Sequence, residues 1–446
     1  MSDETTPENG GTAEPVTIGY RRFEAHQDRQ SVLDEIHARP FPLIRPPLRV
    51  VSLSFMNTTM TPDECTAMAA DLYVRHGGKP PDPGARYHRA KIDGGVLRWE
   101  CHNEFVSFVW RCPPEEDPLV GPVPMGPFGE GFTPPGPLVG GGRFALIEVL
   151  GDIEPTLEPF DRRSLCVSEV EEGAAIIATD FRQDDNGLTR YAIISRGISE
   201  ARAGAVFQRL QEVETYRSMT LLGLPAARKA TPTVDRIEQE LADLSHEARQ
   251  SGELASNRAL LSRLTELASE LEADVSRFSY RMSATQAYDE VLQIRLDALN
   301  EKAWPGYGTL KTFLARRMNP ALRTCQSLEK RQNQLATKLA RAIDVLRARV
   351  AIDVEHQNVA LLNSMNRRAK LQLRLQQTVE GLSIGAISYY LLGIIGYAAK
   401  GLKEAHVLPV RPEIVVGIAV PLVVGFVYWM TRRVRRRHAE KDKDND

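Results

Sequence analysis

Between Ile18 and about Ile198 the chain alternates short apolar runs with turn residues; beyond that, apolar positions recur at threes and fours. The first pattern predicts strands and the second helices. Leu48–Met56 (LRVVSLSFM) reads as a buried strand. Thr61-Pro62-Asp63-Glu64 opens a helix, with Thr as cap, Pro in the first turn and acids at the positive helix end; it stops near His76, at Gly77-Gly78. Arg86–Ile92 and Val96–Glu100 flank Asp93-Gly94-Gly95, a hairpin signal, and Phe105–Cys112 continues the sheet. Of the thirty residues 113–142, seventeen are Pro or Gly, which predicts an insertion loop without helix or ladder, running up to a strand at Phe144–Leu150. Strands resume at Ser164–Val170, Ala174–Phe181 and Thr189–Ser195, a predicted meander.

Ile198 to about Leu222 turns helical, and Pro232 to about Lys302 carries Ile237, Leu241 and Leu244, then Leu260, Leu264, Leu267 and Leu271. Trp304-Pro305-Gly306 interrupts, and Asn319-Pro320 predicts a new helix start. From there no Pro or Gly occurs before Gly381, while Leu328, Leu335, Leu339, Ala342, Leu346 and Val350 form a helix seam. An antiparallel bundle within the chain is favoured over an intermolecular coiled coil, because the preceding helices supply partners.

Two uncharged apolar runs follow, Leu382–Ala399 and Ile414–Met430, of 18 and 17 residues. A helix of roughly 20 apolar residues crosses a bilayer, and Lys400, Tyr428 and Trp429 extend the reach of these two. Gly381, Gly385, Gly393 and Gly396 in the first span, with Gly417, Pro421 and Gly425 in the second, predict close self-packing of a hairpin. Arg367, Arg368, Lys370 and Arg374 precede the first span, and Arg432, Arg433, Arg435, Arg436 and Arg437 follow the second. The connector holds Lys400, Lys403 and Arg411. The positive-inside rule therefore places both flanks, and both termini, in the cytoplasm.

Composition changes this picture little. With 42% hydrophobic residues the chain can build a core, and a net charge of −2 gives no reason to expect nucleic-acid binding. The Arg-rich tail reads as a topology anchor ahead of an anionic-lipid site. Five scattered cysteines (Cys65, Cys101, Cys112, Cys166, Cys325) predict reduced thiols.

Candidate chemistry is sparse. In Glu35–Phe41 (EIHARPF), His37 titrates near neutrality, Arg39 suits carboxylate or phosphate, and Pro40 biases Arg39 toward extended backbone. Asp180, Arg182, Asp184, Asp185 and Arg190 fall at predicted strand ends, so His37, Arg39, Asp180, Arg182 and Arg190 are the candidate ligand-binding residues. Asp184-Asp185-Asn186-Gly187 lacks the spacing of an EF-hand and reads as a type I′ Asn-Gly turn. Cys101, His102 and Cys112 lack a fourth zinc ligand at a recognisable spacing. The motifs of zincins, serine hydrolases, P-loops and Rossmann folds are absent from the sequence. Cofactors are left unknown, and no catalytic or metal-ligating residue is assigned.

EIHARPF, SLCVSEV with TDFRQDDNGLTRY, and EGLSIGAISYYLLGIIGYAAKGL together resemble the bacterial DUF3422 family over roughly residues 20–437. The resemblance implies one family-length unit, mostly cytoplasmic, with a C-terminal membrane anchor, and no substrate. In outline alone the chain is similar to CorA-type magnesium channels, but it has Ala398-Ala399-Lys400-Gly401 where those carry Gly-Met-Asn.

The expected fold is an α+β cytoplasmic domain, then a long α-helical coiled-coil or bundle region, then a two-helix transmembrane hairpin. The boundaries are a disordered 1–15, the α/β domain at 16–197, helices at 198–378, the hairpin at 379–431 and a tail at 432–446. The expected role is a scaffold or sensor anchored in the bacterial inner membrane, self-associating through its helices and spans, with a protein or small-molecule partner unknown. A CorA-like cation transporter is the alternative, and an anchored enzyme using His37 and Arg39 a weaker one.

Overall fold

The structure is a computed structural model that describes residues 16–18, 20–26, 28, 29, 32, 33, 40–114, 117–250, 254–404 and 411–441. Contacts divide the chain into two units, Met1–Glu247 with Arg263–Ala342 and Ala248–Ser262 with Ile343–Asp446. Among the described residues the strands are β1 (Val16–Ile18), β2 (Arg21–Phe23), β3 (Leu48–Met56), β4 (Tyr87–Ile92), β5 (Gly95–Cys101), β6 (Phe105–Cys112), β7 (Leu138–Glu148), β8 (Cys166–Val170), β9 (Ala175–Thr179), β10 (Thr189–Ser195) and β11 (Lys302–Ala303). The helices are α1 (Pro62–Arg75), α2 (Glu154–Leu157), α3 (Glu200–Leu221), α4 (Gly223–Gln250), α5 (Leu254–Ala298), α6 (Leu310–Glu404) and α7 (Pro412–Lys441).

Nine strands of the first unit form one sheet in the order β11-β8-β9-β10-β7-β3-β6-β5-β4, while β1 and β2 pair separately. Within the large sheet only the β7–β10 pair is parallel. The predicted strand Leu48–Met56 and the meander both form. Asp93 and Gly94 adopt positive φ at the β4–β5 hairpin, as a type I′ turn requires. Helix α1 begins with a capping box: Glu64 N donates to Thr61 Oγ1 at 3.3 Å, and Thr61 N donates to Glu64 Oε2 at 2.7 Å.

Both faces of the sheet are covered. On one, Val50, Phe144, Leu146, Ile177, Tyr191 and Ile193 meet Val206, Phe207 and Leu210 of α3, Leu292 and Leu296 of α5, and Leu310, Leu314 and Met318 of α6. On the other, α1 packs through Ala69, Leu72 and Tyr73 against Leu97, Trp99 and Trp110, and α2 places Leu157 beside Ile176 and Ile194.

Two expectations are corrected. Gly140, Gly141 and Gly142 do not precede a strand; they lie inside β7, which starts at Leu138. The reason is close approach: a Cβ on Gly140 would lie 3.1 Å from Ser218 Oγ, and one on Gly142 would meet the Phe144 ring at 2.9 Å and Glu214 Cγ at 3.5 Å, so bare backbone lets α3 settle on the sheet. Pro320 does not start a helix either; α6 begins at Leu310 and carries Pro320 inside it. The start is set from a distance, because the Glu301 carboxylate accepts from Leu310 N at 2.9 Å and Lys311 N at 2.6 Å, filling two orphan donors of the first turn.

Within the first unit α4, α5 and α6 are tied laterally. Arg236 of α4 pairs with Glu270 of α5, Arg263 with Glu240 at 3.5 Å, Gln332 of α6 donates to Asp274 at 3.1 Å, and Arg331 reaches Glu238 at 2.7 Å. The two α4–α5 pairs run those helices antiparallel. Leu328, Leu335 and Leu339 of the predicted seam are buried.

In the second unit Asn257 Nδ2 donates to Asp353 Oδ2 at 3.1 Å, and Arg349 Nη1 to Ala248 O at 2.6 Å. Helices α6 and α7 each contain a stretch long and apolar enough to cross a membrane, with mean hydropathy 1.6 and 2.2 and only 11% and 6% of that stretch buried. Neither apolar stretch is buried as the core helix of a soluble domain would be. The expected glycine packing is nearly absent: a Cβ on Gly396 would meet Val416 at 3.5 Å, whereas Gly381, Gly385, Gly393, Gly417 and Gly425 have nothing within 4 Å.

Gly204, in α3, gives a decisive substitution. A Cβ there would lie 1.6 Å from Pro42 O. Helix propensity alone makes Gly→Ala worth about 1 kcal/mol of added stability, while overpacking costs about 1–3 kcal/mol. Gly204→Ala is expected to lower the thermal midpoint followed by circular dichroism, and Gly151→Ala, with open space around it, to leave it unchanged.

Candidate functional site

Cross-strand register explains where polar groups collect. On the face covered by α3, one row runs Phe144, Val50, Arg111, Val96, Lys91 across β7, β3, β6, β5 and β4. The next runs Gly142, Ser52, Val109, Arg98, Arg89, and a third Gly140, Ser54, Ser107, Glu100, Tyr87. The face is thus apolar at β10–β7 and polar at β6–β4. Charges inside a sheet face need partners, since burying them unpaired is costly.

Helix α3 supplies several. Arg98 Nη2 donates to Gln211 Oε1 at 2.6 Å, and Arg98 Nε lies 3.6 Å from Glu100 Oε1. Glu100 Oε2 is 3.4 Å from His102 Nε2, whose ring stacks on Phe105 at 4.1 Å. Ser54 and Thr215 hydroxyls are 3.1 Å apart. Between these strands and α3 a cavity of about 230 Å³ remains, lined by Glu100, His102, Ser107, Gln208, Gln211 and Thr215, with Arg295 of α5 and Phe41 at its wall. Arg295 pairs with Glu212, and Arg209, 3.0 Å from Glu171, stands 6.0 Å over the Phe41 ring.

One turn further along α3, Glu214 fixes the helix to the sheet. Its carboxylate accepts from Tyr191 Oη at 2.6 Å, Thr189 Oγ1 at 3.2 Å, Arg217 Nε at 2.8 Å and Arg217 Nη2 at 2.7 Å. Burial first, then the neighbouring carboxylate, pushes the Tyr191 hydroxyl well above its ordinary value, so it acts as a donor.

The sequence-predicted residues fall in different places. His37 and Arg39 lie outside the described residues; of their cluster, Phe41 lines the cavity. Asp180 is buried and closes a turn, accepting from Asp161 N at 2.9 Å and Arg182 N at 3.0 Å. Arg182 lies 3.0 Å from Asp161, whose carboxyl is held down to about 2 chiefly by hydrogen bonds from Arg163. Arg190 stands 5.9 Å over the Phe160 ring. Asp180, Arg182 and Asp161 therefore come together at one strand end, away from the cavity lining, and Arg190 stands apart from them. Arg367, Arg368, Lys370, Arg374, Arg432 and Arg433 are exposed, Arg433 lying 5.1 Å over Trp429, and Arg435, Arg436 and Arg437 continue helix α7.

The Asn-Gly turn is not type I′, because Gly187 takes positive φ and Asn186 does not. The Asp184 carboxylate shapes it instead, accepting from Asn186 N at 2.9 Å and Leu188 N at 3.0 Å while pairing with buried Arg143 at 3.1 Å. Strand alternation also separates Cys101 from His102: Cys101 and Cys112 point into the α1 core, while His102 turns to Glu100. Beside Cys101, burial pushes the Cys65 thiol up to about 12. Among the described residues no group of His, Cys, Asp and Glu is placed to hold a metal.

Sequence reasoning missed Arg98, Glu100, Gln211 and Glu214. A signal existed: Arg98 and Glu100 alternate within the otherwise apolar strand VLRWEC, so both share one buried face. The arrangement offers matched donors and acceptors around a small polar space, suited to binding. Compared with known proteins, the chain matches the family described as "Protein of unknown function (DUF3422)" over residues 24–438. No curated protein and no solved structure matches it, so the outline shared with CorA-type channels gains no support.

Two measurements check the electrostatics. Burial raises the Asp184 carboxyl, but the Leu188 N–H and then Arg143 outweigh it and hold the group below its ordinary range. Its contribution is complete above the unfolded value near ~3.9 and is lost as pH falls through the lower folded value. Thermal midpoints should therefore drop in acid, and Asp184→Asn should lower the neutral-pH midpoint and flatten that drop. Glu214→Gln, which strips half-buried Arg217 of its carboxylate, is expected to cost about 2–4 kcal/mol in denaturant unfolding.

Proposed function

We propose, for this chain, which belongs to the DUF3422 family, the role of a membrane-anchored scaffold or sensor whose α/β head takes a small polar ligand. Helix α6 carries the reading. Leu310, Leu314 and Met318 in its first turns belong to the core of the head, and the same unbroken helix ends in the apolar run Leu382–Ala399. A ligand seated between the strands and α3 bears on the core that α6 helps to build. In this reading both termini face the cytoplasm, with the arginine flanks resisting translocation.

Self-association supports the same role. Leu346 and the leucines before it are buried, but from Glu355 to Val379 every residue of α6 is exposed, Val359, Leu362, Met365 and Leu373 among them. Val345, Ile352, Val359, Asn366 and Leu373 recur every seven residues. Val and Ile at three of these positions and one Asn at a fourth suit the a positions of a parallel two-stranded coiled coil. Two copies anchored in one bilayer with the same orientation must run these helices parallel.

Cysteine crosslinking of the full chain in lipid nanodiscs tests this. Val359→Cys, at the seam, is expected to form a disulfide-linked dimer several-fold more completely than Gln357→Cys on the outer face. Equal yields would contradict a defined seam. Native mass spectrometry of the same preparation is expected to show a small bound mass that is lost in Gln211→Leu.

A further inference from the structure

A second cavity, of about 590 Å³, opens beside the β4–β5 hairpin. Its lining shares no residue with the first: it takes Arg111, Lys91 and Arg45 together with the apolar Leu43, Leu48 and Val96. Its volume falls within the range of small-molecule sites, about 300–1,000 Å³.

The charges around it do not balance. Asp93 is the one carboxylate among the described lining residues, and it is taken up by His76. Arg45 pairs with Glu200, and Arg98 lies 3.6 Å from Glu100. Among the described residues, no carboxylate pairs with Arg111, Lys91 or Arg89. Strand register makes the crowding unavoidable, because Arg89 stands opposite Arg98, and Arg98 lies one row from Arg111 on the neighbouring strand. Burial, then Arg89 and Arg98, pull the Arg111 guanidinium down to about 10, only partly offset by the Tyr87 hydroxyl. Guanidinium is ordinarily charged at any physiological pH and offers five donors in a planar fork. Holding it half-buried without a counter-charge is costly in the empty site and becomes favourable when an anion arrives.

From this geometry we infer that the cavity is an anion site for a small phosphomonoester with an apolar body, its phosphate held by Arg111 and Lys91 and its body against Leu43, Leu48 and Val96. A fork of two N–H donors matches two phosphate oxygens, while Lys91, exposed at the rim, adds a point charge. A soluble phosphomonoester and a single-chain lysophospholipid present this same chemistry.

Isothermal titration of the purified full chain in neutral detergent provides the test, with phenyl phosphate, lysophosphatidic acid and uncharged benzyl alcohol as probes. One or both phosphates should bind and benzyl alcohol should not; a response to phenyl phosphate identifies a soluble ester, and a response to lysophosphatidic acid alone identifies a lipid. Arg111→Gln is expected to weaken binding roughly ten- to a hundred-fold, and Arg111→Lys less. If Arg111→Gln fails to fold, as judged by circular dichroism, Lys91→Gln decides, with an expected loss of about three- to ten-fold. Arg163→Gln, removing an 81% exposed guanidinium outside the cavity, should change nothing. The inference is overturned if neither phosphate binds at about ten millimolar, if benzyl alcohol binds as well as the phosphates, or if the folded Arg111 or Lys91 variant binds as tightly as the parent.

Discussion

How closely α3 can approach β7 decides most of what lies on the helix-bearing side of the sheet. Gly140 and Gly142 in β7 remove the side chains that would hold the helix off, and Gly204 on the helix does the same toward Pro42. With the two backbones this close, Glu214 can reach Tyr191, Thr189 and Arg217 together. A buried carboxylate is tolerable only when its oxygens are so filled. Moved outward by one side chain, α3 would lose its bonds to Tyr191 and Thr189, and Gln211 would lose Arg98.

That contact also explains why ligand-sized spaces occur where they do. At β10 and β7 the helix and sheet meet through apolar side chains and the bonds that Glu214 accepts from Tyr191 and Thr189. Toward β4 the same face carries Arg98, Glu100, Arg111 and Arg89, long side chains that need donors, acceptors and room. Close packing of one half and charge on the other leave polar cavities along the β5–β6 side of the head. One is nearly balanced in charge; the other carries an excess of positive charge.

Legibility in the sequence followed how local each cause is. Leu48–Met56, Phe105–Cys112 and Thr189–Ser195 were readable because a strand announces itself within its own residues, and the Thr61 cap because its partner is Glu64, three residues on. Gly140–Gly142 and Pro320 misled because their meaning is tertiary: the glycines answer to Ser218 and Glu214, and the helix containing Pro320 begins where Glu301 caps it. The candidate site was mostly hidden for the same reason. Arg98 and Gln211 are over a hundred residues apart and meet only because α3 lies on the sheet. Asp180, Arg182 and Arg190, conspicuous in sequence, serve a turn, an ion pair and a ring contact.

Helix α6 runs from the head into an apolar stretch long enough to cross a membrane. It begins under the sheet, contributes to the bundle, passes through an exposed stretch and ends apolar, with Pro320 its sole proline. The proposed role of sensor or scaffold requires the helix to remain whole between the head and its apolar end. Hydrogen exchange on the full chain in lipid nanodiscs tests that dependence directly. Slow, contiguous protection of α6 amides from Leu314 through Ile394, including the exposed stretch Glu355–Val379, is the predicted result. Rapid exchange across Glu355–Val379 would mean a flexible linker in place of the helix, and would contradict the account.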